Sequence, residues 1–570
     1  MRQRPWPVLL AVIVCAVGSA VAQTNVVTWH NDNARDGLNS SETILNQSNV
    51  NATHFGKICS VTVNGQIYAQ PLVMSQAGKN TVYVGTMNDW VYSINGSTCQ
   101  IKNQLSLIPS GEEPAECIDI GGGQCHSINP HMGILGTAVI DPSTNTIYVV
   151  AESESTVGTC GTAKKKAASC FIHRVHALDL GTLAEKFGGP VQLAGGYRGI
   201  TYDSKSHIQR PGLLLLPGAM PNGDSAVYVA LSSMDGSGEP GVSVPHGWIF
   251  AYDAKNLTAS PEVWSSTPDG EGGGIWLSGA GLAAGVDTPG GATYIYVATG
   301  DGDFTANTGG SDYGDSFIKM TTDLVPADYF TPFSQACLNP SDLDFGSGGV
   351  MLLPNTGNAY YAVSAGKDGY IYVMNRAEPG GYSAPKNSSC PATGSNGNKE
   401  YFLGSGHKFY TTPALWNSQI YYAPMYSAIT KYHLSQSSPP GCTPSPVCTI
   451  STSTTSVSLH YGTNVSISSS GNTSGTAILW AIDMNGWPAG GSPGTATLYA
   501  FDAQHSNSGV IPELWDSGKC PKRDKAGDGL KFTTPTIANG MVYVGDMDPS
   551  DPTFNHGQLD VYGLTSAECD

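Results

Sequence analysis

Apolar and polar positions alternate along this chain in short stretches, and the stretches recur at a regular spacing. A strand-like run with a central aromatic reads TVYVG around Tyr83, TIYVV around Tyr148, AVYVA around Tyr228 and YIYVA around Tyr296. It returns as AYYAV around Tyr361, QIYYA around Tyr421, ILWAI around Trp480 and MVYVG around Tyr543. The seven intervals from Tyr83 to Tyr543 average about 66 residues, the length of a repeated supersecondary unit. β-Branched and aromatic residues with period-two patterning favour pleated, half-buried backbone, so each run predicts a strand.

Each unit carries more than that run. An apolar strand precedes it, as in QPLVM, PGLLLL and TTPALW, and a second strand follows it, as in IFAYD (249–253) and LYAFD (498–502). Several units end on an outer strand near an aromatic: AEKF at 184–187, EVW at 262–264 and ELW at 513–515. Four strands repeated eight times predict an all-β fold, an eight-bladed β-propeller of four-stranded antiparallel blades, which leaves only short protected sheet edges. FGKICSVTV (55–63) is an outer strand without a blade of its own, and is expected to complete the last blade and close the ring. Residues 23–54 are then a leader packed on the propeller, and 55–570 one propeller domain. The stretch 435–475, rich in Ser, Thr, Pro and Gly, reads as long loops within the seventh blade.

Composition adds a compartment. Residues 1–22 have the charged start (Arg2, Arg4), the apolar run and the small-residue Ala20-Val21-Ala22 ending of a secretory signal peptide. Val14 before Cys15 argues against lipidation, and no later stretch reaches the ~20 apolar residues of a spanning helix. The expectation is an exported protein, periplasmic or extracellular, without a membrane span. Its formal charge of −18 becomes −20 once Arg2 and Arg4 leave. That balance disfavours nucleic acid and anionic membrane surfaces, which attract basic patches. Of 13 cysteines only Cys15 lies in the signal, and an even remainder in an oxidising compartment favours disulfides. Cys117 with Cys125, Cys160 with Cys170 and Cys442 with Cys448 are near in sequence; Cys59–Cys99, Cys337–Cys390 and Cys520–Cys569 are possible pairings for the rest. Sequons stand at Asn39, Asn46, Asn51, Asn95, Asn256, Asn387, Asn464 and Asn472.

The VYV…LYALD…LW pattern, with stretches such as GILGTAVIDPSTNTIYVV, GGGIWLSGAG and GDSFIKM, resembles the pyrroloquinoline-quinone (PQQ) repeat propellers over residues 55–565. That family includes quinoprotein alcohol dehydrogenases and non-enzymatic scaffolds, so the resemblance implies a fold and leaves the function open. Its quinoprotein branch implies PQQ and calcium as cofactors. Two departures weigh against that branch: no adjacent Cys-Cys pair occurs, and the family's calcium-binding Glu, Asn and Asp have no clear counterparts here.

Strand order places chemistry on one face. Segments entering inner strands and loops following second strands open together around the central channel. These positions gather His131, His207, Arg210, Glu271, Trp276, His407, Lys408 and Lys531 on entry, and Glu152, Asp235, His246, Asp301, Asp303, Lys367, Asp368, Asp546 and Asp548 after second strands. His207 and Arg210 suit an anionic group, Arg through its bidentate fork, or brace neighbouring blades. His246 reads as a loop histidine or a ligand contact, and Lys367 as a hydrogen-bond donor or an ordinary GKDG turn. Asp301-Gly302-Asp303 offers alternate hard oxygens, as calcium loops do, and is also ordinary turn chemistry. In Gly270–Gly281 the glycines suit crowded inner strands, whereas Glu271 and Trp276 point to a ligand. No nucleophile elbow, Walker loop or H-E-x-x-H occurs. The expected function is binding, recognition or scaffolding through this polar mouth, with a small molecule, glycan or envelope component as partner. The alternative is a PQQ- and calcium-dependent oxidoreductase acting on an alcohol or sugar.

Overall fold

The computed structural model describes residues 23–120, 128–161, 166–234, 244–355, 360–387, 389–390, 392, 400–404, 406–435, 448–460, 462–484 and 494–569. The signal segment, Asp235, Cys125 and Cys442 lie outside them.

Eight antiparallel sheets form an eight-bladed β-propeller. The first blade shows the plan: Leu72–Gln76 innermost, then Lys79–Gly85, Trp90–Asn95 and Ile101–Ser106, each antiparallel to the one before. Third strands such as Trp248–Asp253 are buried along their whole length, because blades pack face to face and cover both sides of the sheet. The repeated tyrosine has a specific task. Tyr83, Tyr148 and Tyr228 donate their hydroxyls to Leu180, Ala254 and Thr322 carbonyls at 2.9, 2.8 and 2.7 Å, each in the turn after the next blade's third strand. Tyr421 does the same with Ala503. At the ring's seam the Tyr543 hydroxyl accepts from Asn80 Nδ2 of the first blade at 2.8 Å.

Phe55–Asn64 pairs antiparallel with His556–Leu564 and completes the eighth blade, as the orphan strand implies. Three blades borrow a fifth strand in parallel: Leu38–Asn39 on the seventh, Gly381–Tyr382 on the fourth and Val510–Ile511 on the sixth. Two sequence expectations need correction. The second blade's outer strand is Val191–Gln192, and 184–187 supplies only the bridge Leu178–Glu185. The Ser/Thr-rich region 435–475 is not only loop: Cys448–Leu459 is the sixth blade's outer strand and Val465–Ser468 the seventh blade's inner strand. Thr and Val are β-branched and keep their strand preference despite the polar composition.

Residues 26–39 run through the middle of the ring and touch every blade. Main-chain bonds join Val26 to Val73, Val27 to Ile140, Asn33 to Ala284, Ala34 to Leu352, Asp36 to Leu415 and Gly37 to Ile467. Asn33 and Asn39 side-chain amides add Leu215 and Ile537 carbonyls on the third and eighth blades. Arg35, fully buried, donates to carbonyls of Trp29, Asp32, Leu213 and Leu282 and to the Thr28 hydroxyl.

Four disulfides lie among the described residues: Cys59–Cys99, Cys160–Cys170, Cys337–Cys390 and Cys520–Cys569. Such bonds fit a non-cytoplasmic, oxidising compartment. Among the described residues no helix is long and apolar enough to cross a membrane. Asn39 and Asn464 are buried and their amides donate to backbone carbonyls, so these two sequons are closed to modification in the folded chain.

Candidate functional site

The glycine-rich segment entering the fourth blade forms a ribbon with the loop after that blade's second strand. Glu271 N–H donates to Asp303 Oδ2 and Asp303 N–H to the Glu271 carbonyl, both at 3.0 Å; Gly273 N–H donates to the Asp301 carbonyl at 2.7 Å. Gly272 and Gly273 take φ of +79° and +66°, and a Cβ on Gly302 would stand 2.2 Å from Gly273 N. The glycines let two backbones approach that closely. The ribbon carries Trp276, Asp301 and Asp303 to the rim of one cavity.

That cavity encloses about 570 Å³. Arg210, Glu271, Trp276, Asp301, Asp303 and Lys367 all line it, together with Lys531, Phe532, Tyr410, Asn339, Asp342 and Asp344. Residues 26–39 bond nearby: Arg35 donates to Leu213 and Leu282, and Trp29 Nε1 to Thr534, a few residues further along the inner strands that Arg210, Ser278 and Phe532 enter.

One wall is cationic and aromatic. The Arg210 guanidinium stands 5.4 Å from the Trp276 ring centroid and 4.9 Å from that of Phe532. Such contacts hold a guanidinium over a ring face. Lys531 beside it is only 5% exposed. Burial, reinforced by the Arg210 charge, pushes its ammonium down to about 8.

The other wall is acidic. Asp301, Asp342 and Asp344 each present a carboxylate oxygen within 4.8 Å of the others. Lys367 bridges two of them, at 2.5 Å from Asp342 and 2.5 Å from Asp344. Burial opposes its charge, but Asp344 and Asp342 outweigh that and raise its pKa. Asp344 also accepts from Asp301 N–H at 2.8 Å. Behind them sits fully buried Asp315. Burial and then the Asp344 charge push Asp301 up to about 8; burial and then the Asp301 charge hold Asp315 well above the carboxylate range. Burial and the neighbouring carboxylates thus favour the protonated form of Asp301 and Asp315.

The structure places two candidates elsewhere. His207 and His246 are buried and do not line the cavity. His207 Nδ1 bonds the Asp203 carbonyl at 2.7 Å, while Nε2 accepts from Trp248 Nε1 at 3.1 Å and His246 N–H at 3.3 Å. Burial pushes it down to about 4, and its bonds are those of a neutral ring. His246 contacts Thr267 at 3.2 Å, with its pKa lowered by burial. Asp303 is not in the three-carboxylate group; its partner is the Glu271 backbone. Sequence reasoning did not reach Asp342, Asp344 or Phe532. The two aspartates arrive on an insertion, 332–347, that belongs to no strand of the repeat and is tied by Cys337–Cys390.

With this geometry in place, likeness to known proteins can be weighed. No protein-family model matches the chain, and no curated protein matches it in sequence. Among solved structures, the quinohemoprotein alcohol dehydrogenase from Comamonas testosteroni is similar at TM-score 0.52 and 12% identity, over 96% of this chain and 82% of that one. A europium-containing methanol dehydrogenase is similar at TM-score 0.51 and 14% identity, over 95% and 98%. The likeness is one of fold. BamB from Moraxella catarrhalis follows at TM-score 0.45 and 10% identity, over 89% and 99%.

Proposed function

We propose that this protein is an exported ligand-binding propeller whose working site is the mouth cavity. One observation carries the reading: a cavity of about 570 Å³ gathers Arg210, Lys531 and Trp276 together with the carboxylates of Asp301, Asp342 and Asp344. Concave sites of that size with a few convergent polar groups are where small ligands bind. The cationic wall suits an anionic group held by the Arg210 fork, with a flat portion against Trp276. The acidic wall suits hydroxyl or amino groups. Thermal-shift measurements with small carboxylates, amino acids and acidic sugars test it. A hit that raises the melting temperature, and that Arg210→Gln and Trp276→Ala both abolish, supports the reading; hits that persist in both variants put binding elsewhere and defeat it.

A second reading, a PQQ- and calcium-dependent oxidoreductase, is favoured by the convergence of three carboxylates beside an aromatic wall. The donors are of the hard-oxygen type calcium takes. Asp301, Asp342 and Asp344 would hold the ion, which as a Lewis acid would polarise a bound carbonyl. The Lys367 ammonium already bridges two of the three, so an ion has to displace it. Equilibrium dialysis of calcium, with and without PQQ, decides between the readings: retained ion and chromophore support this one, and their absence removes it.

A further inference from the structure

The ring closes on three titratable side chains set in a row across the eighth blade. Lys57 lies on the closing strand Phe55–Asn64, Asp560 on its neighbour His556–Leu564 and Asp546 on Met541–Met547 beyond. Lys57 is opposite Tyr562, while Val544 and Asp546 are opposite Asp560 and Gln558. Side chains two apart on a strand share a face, so the three converge on one side of the sheet. Lys57 Nζ stands 2.8 Å from Asp560 Oδ2, with side-chain exposures of 12% and 0%. The same nitrogen donates to the Lys525 carbonyl. Ser60 and Gln558 hold the other Asp560 oxygen at 2.6 and 2.8 Å, which leaves Oδ2 facing the lysine. Asp546 and Asp560 are both fully buried and accept the same Gly527 N–H, at 2.8 and 3.2 Å. Among the described residues nothing donates to Asp546 Oδ1, the oxygen on which a protonated carboxyl carries its own hydrogen. Burial and then the Asp560 charge hold Asp546 well above the ordinary carboxylate range.

We propose that Lys57 and Asp560 condense within the folded chain into an isopeptide bond that seals the ring, with Asp546 carrying the proton the reaction moves. Burial disfavours the two separate ions relative to a neutral amide. The closing strand also holds the amine against the carboxyl, at the high effective concentration of an intramolecular reaction. The step balances without a co-reactant. The ammonium gives up two protons, its nitrogen lone pair forms the bond to Asp560 Cγ, and one carboxylate oxygen leaves with those protons as water. One positive and one negative charge give way to a neutral amide. Asp546 lends its proton to the departing oxygen and recovers one from the nitrogen, so it ends unchanged. Lys57 and Asp560 lie 503 residues apart, so the bond makes nearly the whole chain one covalent ring. Unlike Cys59–Cys99, that closure survives reduction.

Mass measurement of the purified protein, reduced and denatured, tests this. The wild type should be lighter by one water than its amino-acid sequence requires. Tryptic mapping should recover a branched peptide joining the Lys57 and Asp560 segments, and trypsin should not cut after Lys57. Lys57→Arg keeps the charge but cannot form this amide, so it should regain the mass of that water and migrate as an open chain, more slowly than the wild type, on a reducing denaturing gel. Asp546→Asn keeps the size of the side chain but cannot shuttle a proton, and should lose the link while its circular dichroism stays that of the wild type; a variant that is still fully linked removes Asp546 from the step. The wild-type mass and map stand even if a variant folds poorly. A wild type at its full sequence mass, cleaved after Lys57, overturns the inference and leaves an ordinary buried ion pair. A lost water that maps to any other site, such as a cyclised aspartate, overturns it equally.

Discussion

At His207 both ring nitrogens are occupied, one by the Asp203 carbonyl and the other by the Trp248 indole and the His246 amide. A polar residue expected at the site can thus be structural. Replacing it with Phe fills similar space but leaves the buried Trp248 N–H unpaired, a loss of about 1–3 kcal/mol by denaturant unfolding; an unchanged midpoint contradicts the assignment. Asp301 gives a prediction with a sign. Its folded pKa is raised to about 8, so the stability it contributes is complete below the ordinary carboxylate pKa and is lost as pH rises through 8. Asp301→Asn cannot ionise, so the variant should gain on the wild type progressively from pH 4 to 8 in thermal melts. A pH-independent difference excludes the raised pKa. From the sequence, Arg210, Glu271, Trp276, Lys367 and Asp301 could be placed on one face because strand order alone does that. Whether each side chain opens on the cavity or closes on a neighbour, as His207 does, depends on packing that periodicity does not encode.

Strands were the most legible elements, because alternating β-branched and aromatic residues specify them locally and the repeat supplies their order. Even the ring closure was legible, since Phe55–Asn64 has strand composition and no blade partners nearby in sequence. The insertion 332–347 was not, because its Pro, Asn and Asp residues mark turns without marking where those turns point. The closing strand gives a test at this scale. Cys59–Cys99 ties it to the first blade across the seam between the chain's ends. Opening that bond with Cys59→Ala and Cys99→Ala should cost about 2–4 kcal/mol by denaturant unfolding, more than removing the ten-residue Cys160–Cys170 loop staple. Equal effects would mean that the seam needs no clasp.

In the whole molecule, residues 26–39 bond to all eight blades, and loops from several blades bring cationic and acidic side chains to one cavity. Fold likeness at 12–14% identity does not say what enters. The proposed reading does: an anion at Arg210, a flat face on Trp276 and donors toward Asp301 and Asp344. The most direct measurement is calorimetric titration of pyruvate and lactate into the wild type, Arg210→Gln and Trp276→Ala. The account predicts saturable binding to the wild type, weakened about tenfold to a hundredfold in each variant, as expected for loss of a buried anchor. Binding of equal strength in all three, or none to the wild type by any small anion, contradicts it.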